Sequence, residues 1–137
     1  MATRTNTYVS PSGDGLKPSE LSATATLSSG DNGSCYYLKA NSAECDITLP
    51  TAANGLYFKF VVAEAFSDHY KLIASPADTF EGSVIVAGAV VDVDAADTIQ
   101  INDGTENIGD YIECWSDGTS WMVAGNFLTA SAITAAG

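Results

Sequence analysis

Apolar and polar residues alternate with a period of two along much of this chain. Leu21, Ala23, Ala25 and Leu27 interleave with Ser22, Thr24 and Thr26. That period sends successive side chains to opposite faces of a strand. The same reading predicts strands over 35–39, 46–49, 56–62 and 70–74. Within 56–62, Phe58, Phe60 and Val62 share one face and Tyr57, Lys59 and Val61 the other. Val84–Val86 and Val90–Val91 flank Gly88, so 80–93 reads as two strands meeting at that glycine. Ile99 and Ile101 share one side of a strand over 97–102. Residues 109–126, GDYIECWSDGTSWMVAGN, predict a hairpin, because Asp117-Gly118 tolerates the positive φ values of a tight turn. Its arms carry Tyr111, Ile112, Trp115, Trp121, Met122 and Val123.

Turn signals recur every ~8–12 residues between these short runs, the spacing of an all-β sandwich or barrel. Only Ala63–Phe66 offers even one helical turn, and no internal repeat is evident. The expected fold is therefore all-β, a single-domain antiparallel sandwich or barrel with its core over 21–127 and the hairpin at its centre. Phe58, Phe60, Ile112, Trp115, Trp121 and Val123 are the expected packing residues. Residues 1–20 hold Pro11, Gly13, Gly15 and Pro18 among Thr, Asn and Ser. They read either as a disordered tail or as an extended N-terminal arm that orders on a neighbour, with Tyr8, Val9 and Leu16 as anchors. Residues 128–137 read as a tail of small side chains.

Charge narrows the partners. Seventeen acidic against five basic residues give a net charge of −12, a field that repels phosphate and argues against nucleic-acid binding. No apolar run reaches the length of a membrane span, and the first ten residues lack the apolar stretch of a secretory signal. The chain is expected to stay where it is made. A turn at 41–43 would pair Lys39 with Cys45 and Cys35 with Leu49. The two sulfurs would then not oppose each other, so Cys35, Cys45 and Cys114 are expected as free thiols in a reducing compartment.

Candidate chemistry is thin. The one histidine, His69, adjoins Asp68 in a polar loop, and neighbours in extended chain point apart. No nucleophile elbow or phosphate loop is present. Asp92, Asp94, Asp97, Asp103, Glu106 and Asp110 suit a calcium ion by chemistry. The order of a calcium-binding loop fails, however, and alternation with Val91 and Val93 puts Asp92 and Asp94 on a solvated face. Zinc spacing is lacking. Trp115 and Trp121 would allow sugar stacking, but core packing is the commoner role in a hairpin. No catalytic residue, metal or cofactor is expected.

Asp46–Pro50 (DITLP), Gly55–Val61 (GLYFKFV), Gly109–Glu113 (GDYIE) and Asp117–Asn126 (DGTSWMVAGN) together resemble a β module of tailed-phage structural proteins. Over about 22–130 the chain resembles the capsid decoration, or cement, proteins of tailed phages. Similar modules occur in head fibres and tail proteins. The resemblance implies a homotrimer on the outer capsid surface of the virion, made in the host bacterial cytoplasm. Its partners would be itself and the major capsid protein, with neither nucleic acid nor membrane. It would sit at threefold or quasi-threefold positions and bridge capsid subunits, so the packing residues above would also serve the trimer. Tyr8, Val9 and Leu16 are the expected shell contacts. A receptor- or glycan-binding module of a fibre is the alternative.

Overall fold

The computed structural model describes residues 16–74 and 76–137. Among the described residues twelve strands run in order: β1 (Lys17–Leu21), β2 (Ala25–Thr26), β3 (Ser34–Leu38), β4 (Cys45–Thr48), β5 (Tyr57–Val62), β6 (Tyr70–Ile73), β7 (Phe80–Val86), β8 (Ala89–Ala96), β9 (Thr98–Ile101), β10 (Tyr111–Ser116), β11 (Trp121–Phe127) and β12 (Ile133–Ala136). They form a seven-stranded sheet, β1-β3-β5-β10-β11-β7-β8, and a five-stranded sheet, β12-β9-β6-β4-β2. The all-β, sandwich-like expectation holds. Among the described residues the only helical piece is a 3-10 turn at Ser29–Asp31.

The sheets are mixed, not antiparallel as expected. From β1 to β6 the chain passes from one sheet to the other with every strand. Successive visits then stack in parallel, β1 beside β3 beside β5, and β2 beside β4 beside β6. Lys17 lies beside Ser34 and Ser34 beside Phe58, so these rungs advance by 17 and then 24 residues. Unequal rungs leave no fixed period for a repeat search to find. The expected hairpin across 41–43 is therefore absent. Tyr36 and Leu38 on one sheet and Cys45 and Ile47 on the other all point into one core, and a crossover buries both sets where a hairpin would bury one sheet face. Asn41 fixes that crossover. Its Oδ1 accepts the amides of Ser67 (2.8 Å) and Asp68 (3.1 Å), and its Nδ2 donates to the Asp68 and Ala43 carbonyls. All three cysteines are free, as expected, and all three are buried.

Two terminal segments join the sheets. Lys17–Leu21, which begins in the segment read as an arm and ends one residue past it, pairs with β3 along the edge of the large sheet. Ile133–Ala136, within the segment read as a tail, pairs with β9, and Ala132 and Ile133 are buried. The two strands meeting at Gly88 are β7 and β8, turned by Ala87 (φ 52°) and Gly88 (φ 79°). The hairpin around Gly118 (φ 98°) is β10–β11, in the middle of the large sheet.

The space between the sheets holds one continuous apolar core. Phe58, Phe60, Ile112, Trp121 and Val123 all lie in it. Trp121 packs on Phe58 with ring centroids 5.8 Å apart, and its indole N–H donates to the Pro50 carbonyl at 3.3 Å. Tyr36 stacks on Phe60 at 5.6 Å. Tyr70 buries its ring and donates its hydroxyl to the Lys39 carbonyl, which satisfies the one polar atom it carries inward. Burial holds that hydroxyl well above the usual tyrosine range and does the same to the Cys114 thiol.

Candidate binding face

Alternation along the large sheet divides each strand between the core and an outer face. Ile112, Cys114 and Ser116 of β10 point inward, and Tyr111, Glu113 and Trp115 point outward. Trp115 is thus a correction to the expected packing set: it is 40% exposed, while Trp121 is fully buried. Trp115 pairs with Met122 across a two-stranded turn, and this register puts it on the opposite face from Trp121.

The register lines up outward residues in rows across the strands. One row runs Tyr37, Val61, Tyr111, Asn126, Ile85 and Val90. A second runs Tyr57, Trp115, Met122 and Glu81. Between them Cys35, Lys59, Glu113 and Ala124 lie side by side. Tyr37 is 40% and Val90 72% exposed. Ile108 and Leu128, both largely exposed, extend the apolar surface beyond Tyr111 and line a 230 Å³ depression with Gly109, Asp110, Tyr111 and Asn126.

Two charges in the middle of this face are used locally. Lys59 sits 4.9 Å over the Tyr111 ring, a cation–π contact, and opposite Glu113 in register. Tyr57 is pushed up to about 12, first by burial and then by the charge of Glu113 and its hydrogen bond. A phenol held neutral beside a carboxylate donates a hydrogen bond across the whole physiological range. The face is therefore tyrosine, tryptophan, methionine and aliphatic surface, with Lys59 and Glu113 opposite each other in its middle and the acidic Glu20, Glu81 and Asp92 toward its two edges.

Leu16, an expected shell contact, is exposed just ahead of β1 on the edge of the same sheet. Tyr8 and Val9 lie outside the described residues. Sequence reasoning missed Tyr37, Tyr57, Tyr111 and Met122 as surface groups. The signal was present for Tyr57, which alternates with Phe58 and Phe60, but alternation does not say which of two faces is left uncovered.

The acidic stretch 92–110 is dispersed. Asp92 and Asp94 are exposed on β8. Glu106 accepts the Phe66 amide, and buried Asp110 accepts the amides of Asn107 and Leu128. Among the described residues, one group of three or more potential metal donors converges: Asp68, His69 and Asp103. His69 Nδ1 lies 2.8 Å from the Asp103 carboxylate and accepts the Asp103 amide at 3.1 Å. No family model, curated protein or solved structure matches this chain.

Proposed function

We propose that this chain is a non-enzymatic structural protein that works by docking. In this reading it is a homotrimeric decoration protein on the outer surface of a tailed-phage capsid, bridging major capsid subunits at threefold or quasi-threefold positions. The observation that carries the reading is the outer face of the seven-stranded sheet. Tyrosine, tryptophan and methionine are the residues enriched where proteins bury surface against one another, and aromatic anchors supply most of the energy there. The face spans about 29 Å across seven strands and about 13 Å from Tyr111 to Trp115. Its flat footprint, roughly 400 Å², covers about half of what each partner buries in a standard interface. The remainder has room to come from Ile108 and Leu128 and from Leu16 with the Tyr8–Val9 segment that precedes it. A ligand that binds only the assembled shell stabilises it by mass action, and a threefold position lets each protomer repeat one contact.

Co-sedimentation with purified capsids tests the reading. Trp115→Ala and Tyr37→Ala are expected to lose binding while melting near the parent temperature. Deletion of residues 1–15 tests the arm without removing strand β1. Undiminished capsid binding by both face variants would refute the role of the face.

Exposed Trp115 beside Tyr57, with Glu113 and Lys59 alongside, also suits a sugar ring, whose C–H face stacks on indole and whose hydroxyls pair with charged groups. That is the second reading, a glycan-binding module of a fibre. A glycan array hit abolished by Trp115→Ala, with no capsid binding, would favour it over the first.

A further inference from the structure

We propose that residues 3–10 of one copy of this chain pair, as an antiparallel strand, with the open edge of β8 in a second copy, so that copies join by strand exchange. Among the described residues the two sheets have four edge strands: β1, β8, β2 and β12. Three of them are blunted. β2 has two residues, β12 has four, and β1 carries Lys17 and Pro18. Shortness, lysine and proline are the devices that keep foreign strands off an edge. β8 has eight residues, AVVDVDAA, with neither lysine nor proline. Past Asp94 the chain meets its own C-terminal residues, where the Asp97 amide donates to the Ala136 carbonyl at 2.8 Å. Residues 89–94 have no partner strand beyond β7 among the described residues. Val91, on the inner side, is only partly buried against the core, and Val90, on the outer side, is largely exposed. One more strand would cover both and pair the outward backbone groups.

Charge selects the occupant. Asp92 and Asp94 are exposed on β8. A second β8 centred on the open part would set them opposite or diagonal to their own counterparts, a like-charge contact that opposes pairing. Residues 1–13 hold Arg4 and no acidic residue. Thr3, Thr5, Thr7 and Val9 alternate there with Arg4, Asn6, Tyr8 and Ser10. Five of these eight are threonine, tyrosine or valine, which favour strands, and Pro11 ends the run. Set antiparallel with Arg4 opposite Asp94, the segment brings Asn6 opposite Asp92 and Tyr8 opposite Val90. The other parity brings Thr5, Thr7 and Val9 opposite Val93, Val91 and Ala89. One register thus matches charge on the outer side and apolar surface on the inner side.

Reach makes the acceptor another copy. Leu16 precedes β1, and β1 and β8 are the opposite edges of the large sheet. Six strand spacings separate them, about 29 Å. The link from Ser10 to Leu16 spans at most about 21 Å when fully extended. A copy that donates at one edge and accepts at the other makes a heterologous contact, which closes into a ring. A ring of three is what the capsid reading calls for, and to that extent the inference deepens it. The pairing itself involves no shell, so it is tested without one.

Sedimentation equilibrium of the full-length protein, with no capsid present, is expected to show a trimer. Arg4→Glu is expected to weaken association about tenfold, and Arg4→Glu combined with Asp94→Lys to recover it. Thr7→Cys and Val91→Cys proteins, mixed and oxidised, are expected to give a dimer whose disulfide joins positions 7 and 91, read by peptide mass spectrometry. Because each protein carries only one of the two changes, that link forms only between copies. A monomeric parent, or an oligomer that Arg4→Glu leaves equally tight, would overturn the proposal. So would a Val91→Cys protein that links only to itself, which would place β8 against β8. Trimer and link intact in a protein that does not co-sediment with capsids would uphold the exchange and refute the capsid reading alone.

Discussion

The two tryptophans of the β10–β11 hairpin make opposite predictions from the same substitution. Trp121 is fully buried, packed on Phe58, with its indole N–H on the Pro50 carbonyl. Replacing it with alanine removes the largest side chain of the core, leaves a cavity between the sheets and strips that carbonyl of its donor. Such truncations cost about 3–5 kcal/mol. For a chain of this length, 1 kcal/mol shifts the melting temperature by roughly 3.5 °C, so the loss is about 10–17 °C. Trp115 is 40% exposed on the outer face. Trp115→Ala leaves no enclosed cavity, and its cost is expected to stay below about 1 kcal/mol, roughly 3 °C. Urea unfolding followed by far-UV circular dichroism measures both. Any cost at Trp115 that grows with protein concentration would report an interface between copies, since association adds to apparent stability by mass action. Equal, concentration-independent losses in the two variants would refute the division of the large sheet into a core face and an outer face.

Three further outcomes follow from local geometry. A Cβ on Gly125 would overlap the Tyr111 carbonyl oxygen and sit 3.0 Å from the Ile112 Cα, so Gly125→Ala is expected to destabilise by about 1–3 kcal/mol in urea unfolding. Ala87 holds φ 52° in the β7–β8 turn, ahead of Gly88. Asparagine is the residue favoured there, and Ala87→Asn is expected to raise the urea midpoint by the equivalent of about 0.5–1 kcal/mol. Tyr57 has its folded pKa raised from 10.0 to about 12. A raised value means that its contribution is complete below pH 10 and is lost as pH rises through about 12. Urea midpoints taken from pH 9 to 12 are expected to fall less steeply in Tyr57→Phe than in the parent.

The alternation of Phe58, Phe60 and Val62 with Tyr57, Lys59 and Val61 made β5 and its two faces legible, and the turn dipeptides marked β7–β8 and β10–β11. What local pattern does not carry is pairing over distance. Cys35–Lys39 and Asp46–Leu49 look like hairpin arms because the turn signal Asn41-Ser42-Ala43 separates them, yet Asn41 spends its side chain on Ser67 and Asp68, 26 and 27 residues away. The parallel rungs follow from such long-range contacts. Ile133–Ala136 escaped notice because three of its four side chains are small or polar, and β9 supplies its partner hydrogen bonds. Trp115 was misplaced for a related reason: parity groups it with Tyr111 and Glu113, but only the position of the second sheet decides which group is covered. The convergence of Asp68, His69 and Asp103 depends on the β6–β9 register and leaves no trace in spacing.

The central claim, that this chain serves by occupying many equivalent positions on a shell, is tested most directly by counting it. Absolute quantification by mass spectrometry against the major capsid protein in purified particles is expected to give hundreds of copies per particle, in fixed proportion to the capsid subunit. A handful of copies, or none, would contradict the account.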